Sequence, residues 1–149
     1  MKNDIRSILV PVDFSDNSKK ILQAAVTLAG KLNAKLSVVF VVQSFEDYSG
    51  FFVPHMPISK FEEEMISSAE AKMKTFAAEV VPAGMLSQAT VKVGDVAEEI
   101  LRFAEEAGSD LIVMGTHGYK GLERILFGSV AEQVVKTSSC PVLTINPYR

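Results

Sequence analysis

Apolar positions along the chain follow two rhythms that alternate. Short apolar runs occur at Ser7 to Val12, Leu36 to Val42, Ala89 to Val93, Leu111 to Met114 and Val142 to Ile145. Runs of that length, rich in β-branched residues, read as strands buried on both faces, as in a parallel sheet covered by helices. Between them the apolar residues recur every three or four positions. Ile21, Ala25, Leu28 and Leu32, widened by Leu22, Val26 and Ala29, form one such stripe. Phe61, Met65, Ala69, Met73, Phe76 and Val80 form another within Ser59 to Val80, and Val96, Ile100, Phe103 and Ala107 a third. A last helix is expected from Ser129 to Thr137. These stripes are the core-facing sides of amphipathic helices. Strands alternating with helices throughout predict an α/β fold: a single-layer, five-stranded parallel sheet, doubly wound with helices on both faces. With no repeat, linker or low-complexity stretch, residues 1–149 form one domain.

Two stretches break the rhythm. Gly30 sits inside the first helical stripe, where it costs helix stability for no reason visible in the sequence. Gln43 to Pro57 places Phe45, Tyr48, Phe51, Phe52 and Met56 among Gly50, Pro54 and Pro57. A loop this long and apolar is either a flap folded on its own core or a contact surface or lid.

Candidate chemistry concentrates in Leu111 to Glu132. The buried run ends at Gly115 and Gly118, a loop follows to Gly128, and Ser129 is expected to start the helix. Glycines allow a backbone to approach a ligand closely, and a helix start offers unpaired N–H groups with partial positive charge. Backbone amides between Met114 and Val130 would therefore cradle a phosphate. Ser129 would cap its helix or serve a phosphate oxygen. The loop is neither a Walker A motif nor a dinucleotide fingerprint, because Gly115, Gly118 and Gly121 are each three apart and no G-K-[S/T] occurs. Ordinary turn geometry is the plainer explanation, but a simple strand-to-helix turn needs only a few residues.

The spacing of Gly115, Gly118, Gly128 and Ser129, G-x-x-G-(nine residues)-G-[S/T], resembles the ATP-binding branch of the universal stress protein family. The similarity runs from Ile8-Leu9-Val10-Pro11-Val12-Asp13 to Cys140-Pro141-Val142-Leu143. It implies a strand order of 3-2-1-4-5, which makes the first and fourth strands neighbours. Asp13 and Gly115 would then line one crevice, where such sheets bind ligands. The resemblance further implies ATP with its phosphates on Gly115, Gly118, Gly128 and Ser129, its ribose near Asp13, and its base against Val41 and Val12. It also implies a homodimer, often paired through the last strand, here Val142 to Ile145.

Asp13 is informative through its sign. Phosphate would repel a carboxylate, so Asp13 would either accept from ribose hydroxyls or share a Mg²⁺ with the phosphates. The alternative is an acid favoured near the start of the first helix, which Ser15 or Asp16 can cap. Lys120 and Arg124 could neutralise phosphate or simply face solvent. His117 could move a proton, but loop histidines are commonly just exposed. Cys140 reads as a small apolar residue before Pro141.

Composition narrows the partners. A net charge of -3 gives no general drive toward nucleic acid or anionic membrane, and no apolar run is long enough to span a bilayer. One cysteine excludes an internal disulfide, and Met1-Lys2-Asn3-Asp4 is unlike a signal peptide, so a cytoplasmic location is expected. The reading is an ATP-binding regulatory or stress-response protein that acts as a nucleotide-dependent homodimer. A slow ATPase or phosphotransferase using His117, Asp13 and Arg124 is one rival. A module that binds no nucleotide and acts through residues 43–57 is another.

Overall fold

The computed structural model describes residues 4–44, 58–117 and 122–149, the side chains of 58–59 and 122–127 excepted. Five parallel strands, β1 (Ser7–Pro11), β2 (Lys35–Gln43), β3 (Leu86–Gly94), β4 (Leu111–Gly115) and β5 (Val142–Ile145), form one sheet in the order β3-β2-β1-β4-β5. Four helices connect them: α1 (Asp16–Leu32), α2 (Ile58–Val80), α3 (Val96–Glu106) and α4 (Leu122–Thr137). β1 pairs β2 from Ser7↔Lys35 to Pro11↔Val39 and pairs β4 at Ile8↔Leu111 and Leu9↔Ile112. The order expected from the resemblance is therefore the observed one, with β1 and β4 adjacent at the switch point.

Strand alternation sorts the core into two halves. Ile8, Val10, Leu36, Val38, Leu111 and Val113 pack with α1 and α2 residues such as Leu22, Ala25, Met73 and Ala77. Leu9, Val39, Val41, Ile112 and Met114 pack on the other face with Ile100 and Phe103 of α3 and Ala131 and Val134 of α4. A sheet covered on both faces needs apolar residues at successive positions, which is why β1 and β4 read as unbroken runs. The first helical stripe is shorter than its pattern suggests, since Leu32, in the last turn of α1, is 40% exposed.

Two boundaries differ from expectation by three residues or more. β3 begins at Leu86 rather than Ala89, with Gln88 paired to Ser37. β3 is an edge strand, so polar Ser87 and Gln88 can face outward, and the apolar pattern understates its length. α1 ends at Leu32, where its apolar stripe also ends, and Asn33 caps it in a left-handed conformation (φ 55°), donating its N–H to the Ala29 carbonyl, a cap type to which asparagine is suited. The second difference bears on the site: α4 starts at Leu122, not Ser129. Leu122-Glu123-Arg124-Ile125-Leu126-Phe127 holds no helix breaker and several strong helix formers, so the helix extends back through the expected loop.

Gly94 joins β3 to α3 with φ 150°, and a Cβ there would lie 2.7 Å from Glu99 Oε1. Only glycine fits that corner. The next residue, Asp95, caps α3 by accepting the Glu98 N–H. No physical reason emerges for Gly30, since a Cβ there meets nothing within 4 Å.

Candidate functional site

The C-terminal ends of β1 and β4 open side by side, and the residues after each define a crevice. On the β1 side the chain turns sharply. Phe14 takes φ 66°, a conformation costly for a side chain of that size, and its ring packs 4.5 Å from Phe40 and 5.5 Å from Phe76. Strain of this kind persists only where the surroundings fix it, and it gathers at functional sites. The turn folds Asp13 back onto the start of α1. Asp13 Oδ1 accepts from the Ser15 N–H (2.9 Å), from the Ser18 hydroxyl (2.6 Å) and from the Ser15 hydroxyl. The Asp13 N–H donates to Ser18 Oγ at 2.7 Å, and Ser15 Oγ caps α1 by accepting the Ser18 N–H at 3.1 Å. One carboxylate oxygen is thus committed to the loop. The other, Oδ2, is buried and has no partner among the described residues.

That division joins the two roles considered for Asp13. The carboxylate does anchor the helix start, yet it retains an acceptor with nothing to accept. A buried acceptor left unpaired costs about 1–3 kcal/mol, so its retention points to something that satisfies it. A ribose hydroxyl or a cation would do so. Among the described residues no group of three or more His, Cys, Asp or Glu side chains could hold a metal. Mg²⁺ does not need one, because it is often held by one or two carboxylates plus phosphate oxygens.

On the β4 side, buried Gly115 ends the strand. A Cβ there would lie 3.1 Å from Ile21 Cγ1 and 3.3 Å from the His117 carbonyl oxygen, so a side chain would press on α1 and the following loop where they close on the strand end. Thr116 donates its N–H to the Ile145 carbonyl at 3.0 Å, and its Oγ1 lies 2.8 Å from His117 Nδ1. Gly128 faces this loop across α4, where a Cβ would sit 3.6 Å from the Thr116 carbonyl oxygen. Gly115, Thr116 and Gly128 therefore meet at the mouth of the crevice. Gly118 and Lys120 lie outside the described residues, as does the side chain of Arg124.

Ser129 does not start a helix. It is exposed and follows Gly128 within α4, so both amides fall inside a helix, where N–H groups are taken by the preceding turn. Val41 and Met114 share a core cluster that half-buried Val130 packs against, whereas Val12 belongs to the opposite face of the sheet. A groove of about 320 Å³ beside the crevice has Phe14, Phe40, Met65 and Ala69 among its lining residues. A separate cleft of about 430 Å³ at Ser109, Asp110 and Cys140 lies at the N-terminal ends of β4 and β5, the opposite edge of the sheet. Of the Gln43 to Pro57 stretch, residues 45–57 lie outside the described residues.

Sequence reasoning missed Ser18, Asn17 and Tyr148. The first carried a faint signal in Asp13-Phe14-Ser15-Asp16-Asn17-Ser18, an acid followed by two serines in reach of a helix start. The other two carried none.

The switch point of an open doubly wound sheet, with an orphaned acceptor beside it, is where α/β domains of this class commonly bind small ligands. Comparison with known proteins makes this particular. Residues 4–146 match the universal stress protein family, and the chain belongs to it. Universal stress protein MJ0531 of Methanocaldococcus jannaschii is 38% identical, spanning 97% of this chain and 84% of its own. The solved structure of universal stress protein UspA from Lactobacillus plantarum superposes with a TM-score of 0.77 at 27% identity, covering 97% of this chain and 100% of that one. A universal stress protein from Archaeoglobus fulgidus, solved in complex with dAMP, shares the fold with a TM-score of 0.55 at 23% identity, covering 95% and 98% of the two chains.

Proposed function

We propose that the crevice between β1 and β4 binds ATP and that the protein acts as a nucleotide-dependent regulatory homodimer in the cytoplasm. The observation that carries this reading is the buried, unpartnered Asp13 Oδ2 at the switch point. Asp13 Oδ2 accepts from a ribose hydroxyl or shares a Mg²⁺ with the phosphates, while Oδ1 keeps the turn rigid. Val41, with Met114 and Val130 in the cluster beside it, forms the apolar wall for the base, and Val12 closes the strand end behind Asp13. The phosphates lie over Gly115, Gly118, Gly128 and Ser129. The dAMP complex of the A. fulgidus protein supports a nucleotide as the ligand class.

Phosphate contact at Gly128 and Ser129 requires α4 to shorten. With the turns from Leu122 to Phe127 unwound, Ser129 becomes the N-cap and the following amides turn toward the crevice. Gly128 makes that change inexpensive, because glycine inside a helix already costs about 0.5–1 kcal/mol relative to alanine. The homodimer forms at the β5 edge, which no strand covers among the described residues and where Leu143 is 43% exposed, with Val135 of α4 52% exposed as well. No described helix is long and apolar enough to cross a membrane.

Calorimetric titration of MgATP into the protein and into Asp13→Asn tests the reading. Binding by the native chain and at least a tenfold loss in the variant support it. An unchanged affinity in Asp13→Asn removes its main support.

A further inference from the structure

We propose that the segment following β5 is a clasp that positions the rim of the crevice, with Tyr148 holding His117 in place; the ligand's identity rests on the nucleotide reading above. The segment runs from the loop after β4 to the first turns of α1, the two sides of the crevice. Its start is fixed by the Thr116 N–H bond to the Ile145 carbonyl (3.0 Å). Pro147 is buried, and its carbonyl receives Lys20 Nζ at 3.5 Å. The Tyr148 N–H donates to Asn146 Oδ1 (3.0 Å) and the Arg149 N–H to the Asn146 carbonyl (3.3 Å), so the turn closes on itself.

Tyr148 then reaches both sides. Its hydroxyl accepts from Asn17 Nδ2 at 3.0 Å, one residue before Ser18 of the Asp13 network. Its ring meets the His117 imidazole edge-on, with centroids 5.2 Å apart at 70°. A tyrosine that is 45% exposed adds little to the core, so its two directed contacts are better explained by what they hold than by burial.

His117 is held at a second point, by Thr116 Oγ1 at 2.8 Å from Nδ1. In the tautomer that lets Thr116 donate, the imidazole hydrogen sits on Nε2, a donor suited to an anionic phosphate oxygen. Pinned by Thr116 and Tyr148, the ring loses little freedom when a ligand arrives, which is the energetic advantage of a preorganised group. Tyr148 is thus a positioning residue that acts through His117.

The test uses imidazole NMR and calorimetry on the native chain, Tyr148→Phe and Tyr148→Ala. The chain has only two histidines, His55 and His117, so His55→Gln assigns the signals. In ligand-free protein, Tyr148→Ala shifts the His117 ring protons because the neighbouring ring current is gone, and Tyr148→Phe keeps them near their native position. MgATP moves the His117 signals of the native chain. Its affinity falls about three- to tenfold in Tyr148→Ala, the equivalent of ordering one side chain on binding, and by less in Tyr148→Phe. Unmoved His117 shifts in ligand-free Tyr148→Ala overturn the clasp itself. Shifts that move while MgATP affinity stays native overturn the positioning role. Failure of the native chain to bind MgATP, with the ligand-free shifts responding as expected, overturns the nucleotide reading and the ligand-positioning role that depends on it.

Discussion

Replacing Gly128 with alanine separates the stability of α4 from its proposed use. Gly128 lies inside α4, where its φ is not positive, and an added Cβ would sit 3.6 Å from the Thr116 carbonyl oxygen, an ordinary contact. The methyl group therefore fits, and the helix gains alanine's advantage over glycine, about 0.5–1 kcal/mol. For a chain of this size that is a rise in Tm of about 1–4 °C by calorimetry or circular dichroism. If phosphate binding unwinds the turns before Gly128, the same energy opposes binding and lowers MgATP affinity by about two- to fivefold. Gly30→Ala is the control. It too sits in a helix with open space around it, in α1, so it raises Tm by a similar amount and leaves affinity unchanged. A Gly128→Ala protein that is stabilised yet binds MgATP as tightly as the native chain refutes the unwinding. One that is destabilised refutes the helical placement of Gly128.

Other substitutions probe the remaining parts. Gly115→Ala forces a Cβ to within 3.1 Å of Ile21 Cγ1, and denaturant unfolding should show a loss of about 1–3 kcal/mol. Leu143→Lys places a charge on the exposed β5 edge, and light scattering should show the proposed dimer lost to monomer while the circular dichroism is unchanged. The Glu132 carboxyl is held below its ordinary range first by a hydrogen bond from Lys136 (2.9 Å) and second by that residue's charge. Any stabilisation from this lowered pKa is present above the ordinary carboxylate range and disappears as pH falls through the folded-state value. Lys136→Met should return the Glu132 titration, followed by carboxyl NMR, to its ordinary range.

Where sequence and structure agree, burial on both sides is the reason. β1 and β4 are covered by helices on each face, so their runs of apolar residues leave no other reading. The edge strand β3 was shorter in the pattern than in the molecule, because an exposed face tolerates Ser87 and Gln88. The start of α4 was misplaced for a subtler reason. Gly128-Ser129 is a strong local cap signal, but it is preceded by Leu122, Glu123, Arg124 and Leu126, all good helix formers, and propensity extended the helix past the cap. The proposed unwinding draws on the same conflict, since it requires a second helix start close in energy to the first. The order that would bring Asp13 and Gly115 to one switch point is the observed one, with β1 beside β4. The Asp13–Ser15–Ser18 network and the Tyr148–His117 contact depend on a strained turn at Phe14 and on residues far apart in the chain. No periodicity encodes either one.

A crystal structure of the protein grown with excess MgATP bears most directly on the central claim. The account requires nucleotide in the crevice between β1 and β4, with Asp13 Oδ2 bonded to ribose or metal, and phosphates against Gly115 and the Ser129 end of a shortened α4. Density that leaves Asp13 Oδ2 unpartnered, or that places the nucleotide elsewhere, contradicts it.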